Sequence, residues 1–291
     1  MTRGIIALGL TLLVAGCGAG SAPDKPQVVA TVYPLWEFSR QVAGARAEAV
    51  ALVPPGVEPH DWEPSPRDVA LAQRATVFVH SGTGLDAWAE RLLAGGASRP
   101  VVVDTSRGLD LIRSGGVVDP HTWLDPRLAH AQVDAIAAGL ARADPAGRDT
   151  YAANARAYGA RLDALDRAFS EGLRDCARRE VVTAHAAFGY LTRRYGLTEV
   201  PIMGLRPETE PSPADMAALV KRARGLGVTH VFFEPLVSPR IAETLGREIG
   251  ARPLPLDPVE GLAPEDVRAS RGYVEVMEAN LANLRTALAC R

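Results

Sequence analysis

The sequence predicts an α/β fold of two similar lobes, each a mainly parallel sheet with flanking helices, joined by one long helix. In both halves of the chain, strand-like runs alternate with helical patterns, as they do in the βα units of a parallel sheet. Between Pro145 and Cys176 the strand signal stops and most residues favour helix. A motif that begins Glu63-Pro-Ser-Pro recurs from Glu210, which indicates that the second lobe repeats the first.

The first lobe is predicted to span residues 27–143. Its strands are predicted from apolar and β-branched runs at 28–33, 50–53, 76–80 and 101–104. A helix follows the first strand from Pro34, and Gly44 ends it. In the first copy of the repeated motif, Ser65 can cap a helix with Pro66 in its first turn.

Residues 144–176 are predicted to form the linking helix, in spite of glycines at 159 and 172, and residues 177–291 the second lobe. The strands of that lobe are predicted at 180–184, 198–203, 230–234 and 252–256. The second copy of the motif places Ser212 at the start of a further helix. Two lobes imply a cleft between them, which is where small ligands usually bind.

The N-terminus predicts export. Arg3 precedes an apolar run at 5–15 that is too short to span a bilayer, and Ala15 and Gly16 are small residues directly before Cys17. This pattern resembles a bacterial lipobox, so we expect a signal peptide at 1–16, a lipid on Cys17 and a flexible tether at 17–26. The alternative is an ordinary signal peptide with a chance cysteine. The mature protein should lie on the outer face of the cell membrane or in the periplasm.

Composition and cysteine usage narrow the function further. The 291 residues carry a net charge of −2 and no basic stripe, which argues against nucleic acid as a partner. In an exported chain, Cys176 and Cys290 suggest a disulfide, with two free buried thiols as the alternative. They lack the close Cys-x-x-Cys spacing of a metal site.

Three histidines lie where a ligand could reach them. His60 and His121 lie in proline-rich loops, both as Pro-His-x-Trp, and His185 follows a predicted strand, as does Asp257. The carboxyl ends of parallel strands face the ligand crevice, and three imidazoles with one carboxylate suit four-coordinate Zn²⁺. Residue types alone leave a metal site and separate structural histidines equally open. The histidines that we interpret as structural are His80, His130 and His230.

A set of ordered segments resembles a known family over nearly the whole mature chain. After the lipobox, these segments are "PHDWEPSPRD", "DPHTWLDP", "TAHAAFGYL", "GLRPETEPSPADM", "VFFEPLVSPR", "LDPVEGL" and "GYVEVMEANLANLRTAL". They resemble the zinc/manganese solute-binding lipoproteins of bacterial ABC importers, the cluster A-I family. The resemblance implies two α/β lobes, a rigid linking helix and limited closing motion. It also implies a metal bound by His60, His121, His185 and Asp257.

The resemblance further implies a function. The protein would capture Zn²⁺ between its lobes, without turnover, and deliver it as a monomer to a membrane permease driven by a cytoplasmic ATPase. Histidine rather than glutamate at 185 favours zinc, and manganese or another divalent metal is the alternative. Many zinc-specific members carry a long His/Asp-rich loop before the second histidine, whereas this chain has only residues 113–119. Accessory residues around the cleft are predicted as Glu58, Glu208, Glu210 and Glu234. For Glu58, a solvated acid in a loop is the alternative, and the sequence favours it.

Two other classes of function are possible for a chain with these residues. A secreted zinc hydrolase could use three histidines with Glu208 or Glu234 as base, but it needs an open coordination position for water. Asp257 as fourth ligand would close that position, and the chain contains no Gly-x-Ser-x-Gly motif. A surface adhesin rests on descriptions of some relatives, and no feature of this sequence supports it.

Overall fold

The structure, a computed structural model, describes residues 25–93, 99–114, 116–206 and 212–291. The strands in these ranges are β1 (Gln27–Ala30), β2 (Glu48–Ala51), β3 (Val77–His80), β4 (Val101–Asp104), β5 (Arg113–Ser114), β6 (Val117–Val118), β7 (Glu180–Thr183), β8 (Thr198–Pro201), β9 (His230–Phe233) and β10 (Arg252–Pro255). The helices are α1 (Tyr33–Ala43), α2 (Pro66–Arg74), α3 (Ala89–Leu93), α4 (Pro126–Ala143), α5 (Arg148–Gly172), α6 (Gly189–Tyr195), α7 (Pro213–Leu226), α8 (Arg240–Ile249), α9 (Pro264–Ala269) and α10 (Tyr273–Leu288).

The first lobe is built on a four-stranded parallel sheet in the order β2-β1-β3-β4. Side chains alternate across it: Val28 and Val77 join the cluster that contains residues of α1 and α4, whereas Val29 and Phe78 pack with α2 and α3. Both faces are therefore covered, which explains why the central strands are continuously apolar rather than alternating. The first strand is shorter than predicted because the chain leaves the sheet after Ala30 and α1 begins at Tyr33.

The second lobe repeats this arrangement. Parallel pairing joins β7 to β8 and β9 to β10, and β7 lies beside β9. The resulting sequence of neighbours, β8-β7-β9-β10, matches that of the first lobe. Its own core includes Val182, Val200, Val231 and Leu245. The predicted fold class, two similar α/β lobes, is confirmed.

The repeated motif does begin a helix in each lobe. Ser65 accepts a hydrogen bond from the amide of Asp68, whose carboxylate in turn accepts one from the Ser65 amide. Ser212 accepts from the amide of Asp215 in the same way. A short polar side chain at the cap satisfies N–H groups that have no partner inside the helix, so the same six-residue pattern starts α2 and α7.

Helix α5 links the lobes and packs along α4 and against α10. Close approach to α4 requires Gly159, because a Cβ there would lie 2.4 Å from His130 Nε2. One hydrophobic cluster runs from Val77 of the first sheet through Leu162 of α5 to Leu256 beside the second sheet. The two lobes thus share a core on the α5 side of the molecule.

A disulfide joins Cys176, just after α5, to Cys290, just after α10. No helix in the described part of the chain is long and apolar enough to cross a bilayer. The predicted signal peptide and Cys17 lie outside the described residues. The lobe boundaries at 143 and 176 stay predictions; α5 falls between them.

Candidate metal site

Four side chains from both lobes meet in the cleft. His60 lies in the loop between β2 and α2, and His121 lies between β6 and α4. In the second lobe, His185 follows β7 and Glu260 follows β10. One ligand atom from each of these residues lies within 4.8 Å of all the others. Loops after the parallel strands β2, β7 and β10 therefore supply three of these groups, as predicted for this kind of fold. His121 instead follows β6 of the antiparallel pair β5-β6.

The carboxylate of Glu260 lies among the three imidazoles. Its Oε1 atom is 2.6 Å from His121 Nε2 and 3.4 Å from the Nε2 atoms of His60 and His185. The Nε2 atoms of His121 and His185 are 3.4 Å apart. Oε2 of Glu260 is buried and finds no hydrogen-bond partner among the described residues. Such a buried, unpaired carboxylate oxygen is costly in the absence of a ligand.

Asp119 orients His121. Its Oδ1 atom accepts a hydrogen bond from the backbone N–H of His121 at 3.0 Å and lies 2.8 Å from the ring Nδ1. With Nδ1 held in this way, Nε2 faces the cleft. The Asp-Pro step before His121 therefore has two effects. Pro120 restricts the backbone, and the Asp119 carboxylate sets the orientation of the imidazole ring.

Glu234 does the same for His185. Its carboxylate oxygens both lie 2.8 Å from His185 Nδ1, and Oε1 also accepts from the backbone N–H of His185 at 3.1 Å. Glu234 directly follows β9, so a neighbouring strand end supplies the partner. We predicted Glu234 as an accessory residue, and it lies at the imidazole on the side away from Glu260.

His60 is held mainly through its backbone. Its N–H donates to Glu58 Oε1 at 3.1 Å, and its carbonyl accepts from Arg206 Nη2 at 3.3 Å. Its ring lies 5.7 Å from that of His121, centre to centre. Glu58, another predicted accessory residue, thus supports the loop of His60 and is not among the four converging groups.

The converging carboxylate is Glu260 rather than the predicted Asp257. Oδ1 of Asp257 accepts from the backbone N–H of Val259 at 2.7 Å, which makes Asp257 the first residue of a tight turn. Val259 has a φ of 56°, a conformation that β-branched residues rarely adopt. The turn carries the chain round so that Glu260, three residues beyond Asp257, lies in the cleft.

Sequence reasoning missed Glu260 and Asp119, although both lie in quoted segments, "LDPVEGL" and "DPHTWLDP". An acid directly after a strand pointed to Asp257, and no sequence signal predicts left-handed backbone at a valine. Of the other predicted accessory residues, Glu208 and Glu210 lie outside the described residues.

The remaining histidines lie elsewhere. His130 Nδ1 is 2.9 Å from Asp163 of α5, and His230 Nδ1 is 2.9 Å from the Thr229 hydroxyl. The buried ring of His80 stacks on Phe78. Their contacts fit the structural roles predicted for them.

The electrostatics of the site favour a cation. Burial by itself would lower the pKa of His121, but hydrogen bonds to Asp119 and Glu260 outweigh it and raise that pKa to about 9. Burial also lowers the pKa of His185, but the charge of Glu234 and its hydrogen bond to the ring outweigh this effect. The pKa of His185 therefore lies well above the usual range. In the metal-free protein, protons on His121 and His185 thus offset the negative charge of the nearby carboxylates.

The acids of the site divide into two groups. Burial opposes ionisation of Glu260, but the hydrogen bond from His121 and the charge of His185 hold its pKa well below the usual range. Burial and the charge of Glu260 raise the pKa of Glu58 to about 8. Burial raises the pKa of Asp257 to about 7. Of these three acids, Glu260 is therefore the one that is negatively charged and can bind a cation.

The chain is similar to known zinc-uptake proteins. The family model for the periplasmic component A of zinc-uptake complexes matches residues 28–287. The high-affinity zinc uptake system protein ZnuA of Bacillus subtilis (strain 168) is 37% identical over 302 residues, which cover 95% of this chain and 94% of that protein. The zinc-binding lipoprotein AdcA of Streptococcus pneumoniae is 36% identical over 297 residues, and the chain spans only 59% of its length.

A solved structure shows the same fold. The Zn(II)-bound ZnuA-like domain of Streptococcus pneumoniae AdcA superposes with a TM-score of 0.81 at 37% identity, covering 91% of this chain and 99% of that domain. The family match spans almost all of the described residues and both halves of the site. This chain therefore belongs to the family of periplasmic component A proteins of zinc-uptake complexes, solute-binding components of transporters.

Proposed function

We propose that this chain captures Zn²⁺ in the cleft between its lobes and delivers it to the membrane permease of an ABC importer, which a cytoplasmic ATPase drives. The observation that carries this proposal is the convergence of His60, His121, His185 and Glu260, with one ligand atom of each within 4.8 Å of the others. Relatives in the same family are named for zinc uptake and zinc binding.

The donor set supports zinc over manganese as the cargo. Three imidazole nitrogens and one carboxylate oxygen are ligands that Zn²⁺ takes in four-coordinate sites. Mn²⁺ prefers more oxygen ligands. The ring Nδ1 atoms of His121 and His185 face carboxylates, an arrangement that raises the basicity of the metal-facing nitrogen.

The four donors that converge among the described residues also favour a transport role over a hydrolase. Four protein donors can complete a tetrahedral site, which leaves no place for the water that a zinc hydrolase activates. Glu234, the candidate base of such an enzyme, is engaged with His185. We therefore expect no metal-dependent hydrolysis of esters or phosphoesters by this protein.

We place the protein outside the cytoplasm as a monomer, held on the membrane by a lipid on Cys17. Support comes from the lipobox-like sequence before Cys17 and from the related AdcA, which is named a lipoprotein. Mass spectrometry of the protein from membranes tests this, because acylation adds the mass of the lipid to a chain that begins at Cys17.

Titration of residues 18–291, stripped of metal, with Zn²⁺ and Mn²⁺ tests the proposed function. We expect one tightly bound zinc that manganese does not displace. Glu260→Gln should lower zinc affinity by about 100-fold or more, since it removes a charged ligand oxygen. Asp257→Asn is the matched control, because an asparagine oxygen can still accept from Val259 and keep the turn.

Each outcome has a distinct meaning. Absence of tight zinc binding by the unmutated protein would contradict the proposed function. Tight binding that is lost in Asp257→Asn and kept in Glu260→Gln would mean that Asp257, as the sequence predicted, is the ligand. Manganese that displaces zinc would keep the transport role and change the cargo.

A further inference from the structure

Two segments that carry site residues meet across the lobes through a tryptophan. The indole Nε1 of Trp123, two residues after His121, donates to the carbonyl of Pro258 at 2.8 Å. Pro258 lies two residues before Glu260, and 135 positions of sequence separate the bonded pair. Trp123 is fully buried, so water cannot replace its indole as donor and loss of the N–H would leave the carbonyl unpaired.

Helix α10 holds both of these segments. The hydroxyl of Tyr273 donates to the backbone carbonyl of Trp123. In the middle of the helix, the side chain of Asn280 accepts from the N–H of Asp257 at 2.8 Å and donates to its carbonyl at 2.7 Å. Tyr273 and Asn280 are seven residues apart, which places them on one face of the helix.

The turn before Glu260 needs such support. Val259 adopts left-handed backbone with a φ of 56°, and a β-branched residue keeps that conformation only where its surroundings impose it. Asn280 fixes the residue at the start of the turn, and Trp123 fixes the carbonyl of Pro258 inside it. If either restraint is lost, the turn can relax and Glu260 moves relative to His121.

We propose that Trp123 and Tyr273 are positioning residues of the metal site, which hold the segment of His121 and the turn of Glu260 in register through the Trp123–Pro258 and Tyr273–Trp123 hydrogen bonds. Neither residue is a ligand. The inference rests on the proposed zinc-binding function. It states that these two side chains keep the metal ligands at the distances and angles that zinc binding needs.

Trp123→Phe tests this inference, because it keeps an aromatic ring and removes the N–H. We expect zinc affinity to fall by about tenfold, the cost of one buried hydrogen bond left unmade. With Co²⁺ in place of zinc, the visible absorption spectrum should change, since it reports the arrangement of ligands rather than the stability of the fold. Trp36→Phe is the matched control: its indole N–H donates to Ala49 at 3.0 Å within the first lobe, so affinity and spectrum should stay unchanged.

Tyr273→Phe is a second variant, which removes the hydrogen bond to Trp123 and tests the inference even if Trp123→Phe does not fold. Its control is Tyr158→Phe, because the buried hydroxyl of Tyr158 has no hydrogen-bond partner among the described residues. We expect Tyr273→Phe to weaken zinc binding and shift the Co²⁺ spectrum, and Tyr158→Phe to do neither.

The inference is wrong if Trp123→Phe and Tyr273→Phe lower the melting temperature of the metal-free protein but leave zinc affinity and the Co²⁺ spectrum as in the unmutated protein. It is also wrong if Trp36→Phe has the same effects as Trp123→Phe. Failure of the unmutated protein to bind zinc is a different result, because it overturns the proposed function and, with it, the inference.

Discussion

At the scale of single residues, the contacts of Nδ1 determine how the rings of His121 and His185 face the site. Asp119 faces Nδ1 of His121, and Glu234 faces Nδ1 of His185. Each carboxylate sets the orientation of its ring and leaves Nε2 for a metal. The same carboxylates also favour a proton on the ring when no metal is bound. Metal and protons therefore compete for the site.

This competition predicts that zinc binding releases protons. Hydrogen bonds to Asp119 and Glu260 raise the pKa of His121 to about 9, so the ring is protonated at pH near 7 in the metal-free protein. Zinc needs the neutral ring. The binding of one zinc ion should thus release about one proton or more. Zinc affinity should rise about tenfold per pH unit for each proton released, until the pH exceeds the pKa of His121.

Calorimetric titrations at one pH, in two buffers of different ionisation enthalpy, give the number of protons released. Zinc affinity should increase with pH between about 6 and 8. An affinity that stays constant over that range would contradict the pKa assigned to His121.

At the scale of elements, the end of the chain is tied to the end of the linking helix. The disulfide between Cys176 and Cys290 connects α10, which contacts both segments of the site, to the residues after α5. It spans a sequence separation of 114 residues. A cross-link over so long a loop restricts the unfolded chain more than the folded one.

Replacing both Cys176 and Cys290 with serine should therefore lower the free energy of unfolding by about 3–5 kcal/mol. Zinc affinity should stay the same, because neither cysteine lies among the converging ligands. Urea unfolding of the metal-free proteins measures the first effect, and zinc titration the second. In residues 18–291, alkylation of the unreduced, denatured protein should add no label; two labels would show that the bridge is absent.

At the scale of the whole molecule, the lobes are packed together rather than linked by a free hinge. One hydrophobic cluster includes residues of the first sheet, of α5 and of the second lobe. The hydrogen bonds of Trp123 and Tyr273 cross between the lobes next to the site. Large opening would expose this shared apolar surface to water, at a cost that rises with its area.

We accordingly expect only a small change of shape on zinc binding. The radius of gyration from small-angle X-ray scattering should differ by less than about 1 Å between metal-free and zinc-bound protein. A difference of several ångströms would show that the shared core separates, and the rigid-helix description implied by the family resemblance would then be wrong. Chelated and zinc-saturated samples of one preparation provide the comparison.

Much of this protein could be predicted from its sequence because the signals are local. Apolar runs predict the strands, and Ser65 and Ser212 predict two helix starts, since these depend on residues a few positions apart. The histidines of the site were found because His60 and His121 lie in proline-restricted loops and His185 follows a strand. In an α/β fold of this kind, the loops after the strands lie at the same edge of the sheet, so residues in these loops come close together.

Only the tertiary structure decided which carboxylate joins the histidines. Asp257 and Glu260 are three residues apart, and the choice depends on left-handed backbone at Val259, which α10 supports through Asn280. The pairing of His185 with Glu234 and of Trp123 with Pro258 likewise joins residues that are distant in sequence. The sequence by itself determined the two-lobed α/β fold and the three imidazoles, because short-range patterns encode them. The fourth donor and its supports depend on contacts between residues distant in sequence, within the second lobe and between the lobes, which exist only in the folded protein.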